Sequence, residues 1–327
     1  FNTSNTLKDD FDYYFNMAEE GAQKNSSDES GILEVILAIL STTFFAIILG
    51  IIFIGESKYN LGVTKKELKN TQNYFRDIPC NNNIYKAYYL ANKGGVLKNN
   101  KDILGAIILK WIKDGIVVIN SENNKTYIDL THNNKSKILD NKEQALYDML
   151  KQASQDGILE SKEFERWCKI HYEKILSWFS DITSREQNKL ITSGELILNQ
   201  KKIFGVNKNI YDFQPNLTEE LKNIAELKKY LLDYTLIKDR KAIEVHLFEE
   251  YLIYAQMLGI AKQVAKQFKE LYPEIIQESC YSTYDNFLFV NTWCTHIISS
   301  ANSASSSSSS GGGGGSFGGG GGGGGFR

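Results

Sequence analysis

The thiol of Cys80 is the first side chain in this 327-residue sequence whose setting suggests chemistry. It lies in the stretch RDIPCNNNIYKAYYLANKGG, between Pro79 and three asparagines that precede a helix-like run. A helix N-terminus lowers the pKa of a nearby thiol, and the thiolate is the nucleophilic form. No base, resolving thiol or oxyanion loop is visible beside it. The pattern therefore favours a structural role, in which the asparagines cap a helix that carries Tyr85, Tyr88 and Tyr89.

Two other groups of residues have side-chain types that occur in active sites or metal sites. Cys294 and His296 could form a thiol and base pair, but positions i and i+2 point to opposite faces of a strand. His246, Glu249 and Glu250 could share one helix face, yet a metal site needs three or four ligands and no second set is nearby. The phosphate-loop, dinucleotide and nucleophile-elbow motifs are absent from the sequence. We therefore assign no catalytic, cofactor-binding or metal-binding residue, and we predict no enzyme activity and no cofactor.

The overall composition excludes several classes of protein. A formal net charge of -2, with 42% hydrophobic residues, gives no global sign of a nucleic-acid partner. The four cysteines, Cys80, Cys168, Cys280 and Cys294, form no CxxC pair. That spacing argues against a zinc site or a disulfide framework and favours reduced thiols in a cytosol. The chain begins with Phe1 rather than Met, which indicates a fragment or a processed chain.

An uncharged apolar run from Val35 to Gly55, VILAILSTTFFAIILGIIFIG, predicts a transmembrane helix over residues 32–56. At a rise of about 1.5 Å per residue this run is roughly 31 Å long, the thickness of a bilayer core. Acidic residues dominate before the run, and lysines follow it. The positive-inside rule then predicts a single-pass protein of the cell membrane, with the N-terminus outside and the C-terminal body in the cytoplasm.

The region after this run has the element order of a winged helix. We predict a helix near Lys65–Phe75, helices at Asn82–Lys93 and Asn99–Asp114, and a β-hairpin formed by Ile116–Ile119 and Thr126–Leu130. Residues 64–135 contain twelve Lys or Arg and six Asp or Glu, a local net charge of +6.

This basic winged-helix-like region suggests DNA binding as an alternative function. The expected recognition helix, NNKDILGAIILKWIKDG, is mostly apolar, however, and it has no arginine to read guanine. Attraction of lysines to anionic lipid headgroups, or contact with a protein, explains the charge more simply.

The remainder of the chain is predicted to be helical. Asn141–Ser154 is amphipathic, Ser161–Leu190 has helix-spaced apolar residues, a helix opens at Pro215 with Thr218 as its cap, and residues 242–268 form a long helix. From Ser299 the chain is rich in Ser and Gly, which predicts disorder. The predicted domains are an extracytoplasmic stub (1–31), the transmembrane helix (32–56), a winged-helix-like membrane-proximal domain (57–135), a helical domain (136–210), a C-terminal helical domain (211–298) and a disordered Ser/Gly-rich tail (299–327). The predicted fold class is thus mainly α with a small β-hairpin.

Several sequence blocks together resemble the YciQ-like family of predicted membrane proteins, a domain of unknown function. These blocks are RDIPCNNNIYKAYYLA, LGAIILKWIKDG, DGILESKEFERWC, EVHLFEEYLIYAQMLGIAKQVAKQF and the tail ending in GGGGFR. The resemblance covers residues 32–327. It implies a membrane location and a preceding signal peptide and extracytoplasmic β-rich domain, which this sequence does not contain. Some relatives carry additional spans in the later half, whereas residues 190–206 are too polar for one here. The resemblance implies no catalytic residues.

Taken together, these patterns predict a single-pass membrane protein whose cytoplasmic body is an interaction module without identifiable catalytic activity. The expected partners are the lipid bilayer and a protein whose identity the sequence does not give, whereas a nucleic acid is not favoured. Two alternatives stay open. The first is a membrane-tethered winged-helix DNA-binding regulator, and the second is an enzyme with a site built on Cys80 or Cys294.

Overall fold

A computed structural model describes most of the chain after residue 57 and two short helical stretches before it. Its described residues are 13, 15–20, 34–47, 57–99, 101–122, 125–131, 134–203, 206–234, 247–271 and 284–309. They are mainly helical, with two three-stranded sheets. The chain divides into two compact units, one containing residues 1–58 and 198–211 and the other containing residues 59–197 and 212–327.

The regular elements follow one another in this order. The helices are α1 Lys65–Lys69, α2 Ile84–Gly94, α3 Ile103–Lys113, α4 Asn141–Ser154, α5 Ser161–Ile170, α6 Tyr172–Thr192, α7 Pro215–Leu232, α8 Phe248–Met257, α9 Ala261–Leu271 and α10 Tyr284–Ser309. The strands are β1 Lys58–Asn60, β2 Val118–Glu122, β3 Lys125–Asp129, β4 Ile158–Glu160, β5 Leu196–Ile203 and β6 Val206–Phe213. Short 3₁₀ turns cover Pro79–Asn82 and Asn134–Lys137. The sheets have the orders β1-β6-β5 and β2-β3-β4.

The prediction of a transmembrane helix over residues 32–56 is wrong for the described structure. Only residues 34–47 of that stretch are described, and they form a helix of fourteen residues. In the part of the chain that the structure describes, no helix combines the length and apolarity that crossing a membrane requires. The rest of the predicted segment lies outside the described residues.

The predicted winged helix is not supported either. Its hairpin exists, as β2 and β3 pair in antiparallel register with Val118 opposite Asp129. The third strand of this sheet is β4, however, which follows α4. The expected recognition helix is α3, which packs against α8 and α10. Nearly every α3 residue is buried, from Ile103 to Ile112. A helix whose apolar side chains are packed against its neighbours cannot enter a DNA groove, so α3 is not available as the expected recognition helix.

A glycine explains how closely α3 approaches α8. A Cβ added at Gly105 would lie only 2.7 Å from Nε2 of Gln256 on α8. The side chain of Gln256 is itself 1% exposed and accepts a hydrogen bond from Asn291 of α10 at 2.8 Å. The three helices therefore meet around one buried amide. Aromatic rings pack elsewhere in the core, such as Tyr234 and Phe268, whose ring centroids are 4.6 Å apart.

Later elements differ from the predictions in instructive ways. The helix predicted over Ser161–Leu190 is interrupted at His171, so α5 and α6 are separate. The long helix predicted over residues 242–268 is interrupted at Gly259, whose φ of 73° is left-handed. Helix α7 begins at Pro215 as predicted, but Thr218 is buried inside it and donates to the Leu61 carbonyl at 2.8 Å instead of capping it.

Strands β5 and β6 and the C-terminal part of α10 were not predicted from the sequence. Strands β5 and β6 are adjacent in one sheet, in a region for which we predicted only helices. The stretch from Ser299 to Ser309, predicted to be disordered, continues α10 as a helix. Residues 310–327 of the predicted tail lie outside the described residues.

Candidate functional site

Cys80 occupies a buried position, with 3% of its surface exposed. Its backbone N–H donates to the carboxylate of Glu220 at 2.8 Å. Burial, and then the nearby charge of Glu220, raise the pKa of the Cys80 thiol far above its ordinary value. The position of Cys80 before a helix predicted that the helix dipole would lower this pKa. The outcome is the reverse because desolvation and a neighbouring anion both disfavour a thiolate.

The backbone around Cys80 forms a left-handed turn. Cys80, Asn81 and Asn82 have φ values of 58°, 51° and 60°. Two tyrosines of α8 hold this turn, since the Tyr254 hydroxyl donates to the Pro79 carbonyl at 3.0 Å, and the Tyr251 hydroxyl donates to the carbonyl of residue 76 at 2.5 Å. These bonds offset a conformation that is strained for residues other than glycine.

Asn83 completes the connection into α2, as the sequence predicted. Its side-chain oxygen accepts hydrogen bonds from the N–H groups of Tyr85 at 3.2 Å and Lys86 at 3.1 Å. The asparagine cap and the buried tyrosines of the helix therefore explain the stretch that first suggested a nucleophile.

The other candidate residues do not come together. Cys294 and His296 lie on α10, where Cys294 is buried and His296 is exposed on another side of the helix. Burial raises the pKa of Cys294 strongly and that of Cys168 to about 12. His246 lies outside the described residues, so its pairing with Glu249 and Glu250 is not described. Among the residues that are described, no three His, Cys, Asp or Glu side chains could hold a metal ion.

Within the described part of the chain, a cleft of about 420 Å³ is lined by four lysines and could bind a ligand. We call it the lysine cleft. Two lysines come from α1, where they are one turn apart, and two come from the last turn of α7. The C-terminal end of α2 and the segment after α1 form the remaining sides. The charged lining residues are Lys65, Lys69, Lys228, Lys229 and Asp233.

Local sequence places the α1 lysines on the surface. Thr64 caps α1 by accepting from the Glu67 N–H at 3.1 Å, and the Glu67 carboxylate accepts from the Thr64 N–H at 2.8 Å. Leu68 is buried and anchors the short helix, which leaves Lys65 and Lys69 exposed in the cleft. This capping box lets a five-residue helix hold a fixed orientation.

Lys228 lies deeper than the other lysines of the cleft. Its ammonium group donates to the Val96 carbonyl at 2.6 Å. Burial, and then the nearby charge of Lys98, lower the pKa of Lys228. The half-buried ammonium group of Lys228 and the nearby charge of Lys98 therefore give this region a positive potential.

The carboxylates in and near the cleft do not neutralise it. Asp233 forms an ion pair with Lys229 at 2.8 Å. Within the described part of the chain, no carboxylate forms an ion pair with Lys65, Lys69 or Lys228. The cleft therefore has three unpaired lysine charges and can attract an anion.

The sequence indicated only two of the four cleft lysines. The basic excess of residues 64–135 was visible, and it includes Lys65 and Lys69. Lys228 and Lys229 are far from them in sequence and belong to a helix that also contains several acids. Their convergence follows from the packing of α7 against α1 and α2, which no local pattern reveals.

Comparisons with known proteins reach only part of the chain. A family model described as "Predicted membrane protein (DUF2207) C-terminal domain" matches residues 200–268, about a fifth of the sequence. No curated protein and no solved structure matches the chain. The matched segment contains α7 and α8, and therefore supplies Lys228 and Lys229 to the cleft and the tyrosines that hold the left-handed turn.

Proposed function

We propose that this chain is a membrane-associated interaction module, without catalytic activity, that binds an anionic membrane surface through the lysine cleft. The observation that carries the proposal is the convergence of three lysines that no described carboxylate neutralises. A lysine near an anionic leaflet contributes about 1 kcal/mol to membrane binding, so three give a substantial attraction. The match to a family described as predicted membrane proteins supports the same location. We further propose a YciQ-like protein of the cell membrane whose lysine-bearing body faces the cytoplasm, where anionic lipids are found.

The helical residues 34–47 supply a second, apolar means of contact with lipid. Their large side chains are exposed, including Val35 at 58%, Phe44 at 66% and Phe45 at 63%. The hydroxyls of Ser41, Thr42 and Thr43 bond to carbonyls of their own helix at 2.9 Å, so they add no unsatisfied polar group. An exposed apolar stretch of this extent needs a covering, and we propose that the bilayer covers it.

The two alternative functions lack comparable support. DNA reading would need an exposed recognition helix, and α3 is buried. A cysteine-based enzyme would need an ionisable thiol, and the pKa values of Cys80, Cys168 and Cys294 are all raised by burial.

Vesicle binding by the full chain tests the proposed function. We expect more protein on vesicles that contain phosphatidylglycerol than on vesicles of phosphatidylcholine alone, and we expect salt to remove the difference because it screens exposed charges. Equal binding to both vesicles at low salt would contradict the role of the lysines.

A second vesicle experiment isolates the apolar stretch. The double substitution of Phe44→Ser and Phe45→Ser should weaken the salt-resistant binding at least tenfold, since two exposed aromatic side chains lose contact with lipid. Leu139→Ser is the control, because Leu139 is 90% exposed on the other compact unit and should not change vesicle binding. Equal effects of the two substitutions would count against lipid contact at residues 34–47.

A further inference from the structure

We infer that the lysine cleft is a binding site for a phosphate monoester group. The group could belong to a lipid headgroup such as phosphatidic acid or to a soluble phosphate ester, because both present the same terminal phosphate. This inference rests on the proposed function, since it names the anionic group that the same cleft would hold.

The number of unpaired charges selects the chemical class. A phosphate monoester carries between one and a half and two negative charges near pH 7, with three terminal oxygens, about as phosphoserine does. A phosphodiester carries a single charge. Lys65, Lys69 and Lys228 are three cations without a described carboxylate partner, while Lys229 is already paired with Asp233. The cleft therefore matches a dianion better than a monoanion.

The position of Lys228 adds depth to the site. One of its three N–H groups donates to the Val96 carbonyl at 2.6 Å, which fixes the ammonium group and leaves two N–H groups for a ligand. Its pKa is lowered by burial and by Lys98, and the opposite charge of a bound dianion would favour the charged form of the ammonium group. Lys65 and Lys69, on the exposed helix α1, line the same cleft and add two further cations.

The cations that line the cleft are all lysines. Lysines act as compact point charges, which can surround a tetrahedral phosphate from several directions. Asn70, Thr71 and Gln72 line the same cleft and bring polar groups for the ester side of the ligand.

The size of the cleft also limits the ligand. Its volume of about 420 Å³ falls within the usual range for small-molecule sites, and its floor is formed by Leu68, Val96 and Ala225, all of which are buried. A headgroup or a small phosphate ester fits this space.

Vesicles that differ in phosphate class test the inference with the full chain. One set contains phosphatidic acid, a monoester, and the other contains phosphatidylglycerol, a diester, with compositions adjusted to equal surface potential. We expect about tenfold tighter binding to the monoester vesicles. We also expect glycerol 3-phosphate to compete for the site if the source is soluble, and not to compete at similar concentration if the site requires a lipid.

Charge substitutions locate the preference. Lys65→Gln, Lys69→Gln and Lys228→Gln should each reduce the preference for monoester vesicles about fivefold. Lys66→Gln is the matched control for α1, because Lys66 belongs to the same helix but does not line the cleft. Lys222→Gln is the control for α7, where it lies in a neighbouring pocket beside Glu226. Thermal unfolding of each variant should match that of the unsubstituted chain, which excludes loss of the fold as the cause.

The possible failures are distinguishable. If the chain binds both vesicle types equally, or if Lys66→Gln reduces the preference as much as Lys65→Gln, the monoester site is wrong while anionic membrane binding still holds. If the chain binds neither vesicle type at low salt, and glycerol 3-phosphate does not bind either, both the inference and the proposed function are wrong.

Discussion

Lysines in the larger compact unit occupy two contrasting settings, helix α3 and the lysine cleft. On α3, Lys110 lies 3.2 Å from the buried carboxylate of Glu143. Lys113 forms an ion pair with Glu250 of α8. Burial lowers the pKa of Lys113, but its hydrogen bond and ion pair with Glu250 outweigh burial and raise it. The charges of α3 are therefore satisfied within the fold.

The cleft lysines show the opposite arrangement. Lys65 and Lys69 are exposed, Lys228 is half-buried, and none of the three has an ion-pair partner among the described residues. Lys110 and Lys113 of α3 and Lys65 and Lys69 of the cleft all belong to the same basic region of the sequence, residues 64–135. Local net charge therefore does not locate a binding site, because ion pairs with carboxylates decide which lysine charges remain available to a ligand.

The largest expected effect comes from removing the carboxylate that satisfies α3. Glu143 is 3% exposed and accepts from the Trp111 indole N–H at 2.5 Å as well as from Lys110. Glu143→Ala should lower the free energy of unfolding by about 3 kcal/mol, because it leaves the buried Trp111 N–H without its acceptor and removes the shorter of the two ion pairs of Lys110. Chemical denaturation measures this loss.

A control substitution and a vesicle-binding measurement accompany the Glu143→Ala experiment. Asp148→Ala is the control, since Asp148 lies on the same helix and forms an exposed ion pair with Lys135 at 2.6 Å, which should contribute less than about 1 kcal/mol. Binding of the folded Glu143→Ala protein to anionic vesicles should not increase, because Lys110 keeps its ion pair with Asp114 at 3.5 Å and α3 remains buried. A gain in vesicle binding would break the distinction between the two settings.

The N-terminal end of α3 gives a pH-dependent test. Burial raises the pKa of Asp102 to about 6, and the nearby charge of Lys98 only partly opposes this. The ordinary value in an unfolded chain is about 3.9. Between these values the folded protein binds more protons than the unfolded protein, so stability decreases as the pH rises from about 4 to about 6.

Asp102→Asn should abolish that dependence. We expect the variant to be more stable than the unsubstituted chain by about 1 kcal/mol at pH 8, after allowance for partial exposure, and equally stable at pH 4. Denaturation at several pH values provides the measurement, with Asp114→Asn at the exposed end of the same helix as control. A stability difference that is constant with pH would show that Asp102 does not titrate in this range.

Elements with a strong local signal were predictable from the sequence. Helix α4 has the predicted bounds, Asn141–Ser154, because its apolar residues repeat at helical spacing and Asp140 caps it by accepting from the N–H groups of Lys142 and Glu143. Strand β5 was missed because nearly all of Leu196–Ile203 is exposed, so its apolar and polar residues do not alternate. The uncharged run before residue 56 predicted a transmembrane helix, and no helix of the described residues is long and apolar enough to be one.

The candidate site was less predictable than the fold, for a physical reason. Lys65 and Lys69 belong to the basic region that the sequence revealed, whereas Lys228 and Lys229 lie on a helix with mixed charge. Ion pairs between distant segments, such as Lys113 with Glu250, decide which lysines are neutralised. Such pairs depend on tertiary packing. Counting charges along the chain therefore overestimated the positive charge that α3 has available for a ligand and underestimated that of α7.

The smallest expected effect adds a charge to the cleft by removing its one carboxylate. Asp233 pairs with Lys229 at 2.8 Å and accepts from the Tyr74 hydroxyl at 3.1 Å. Asp233→Asn should leave Lys229 as a fourth available cation and strengthen binding to anionic vesicles about threefold, with a cost in stability below about 1 kcal/mol because the pair is partly exposed.

Asp77→Asn makes the same change in net charge at an exposed position that does not line the cleft. If vesicle binding depended on the total charge of the region, both substitutions would strengthen it equally. If pairing within the cleft decides, only Asp233→Asn should strengthen it, and the gain should disappear when Lys229→Gln is added. Vesicle titrations at one low salt concentration separate these possibilities. They compare the two single variants and the double variant, whose net charges are known and whose fold is the same.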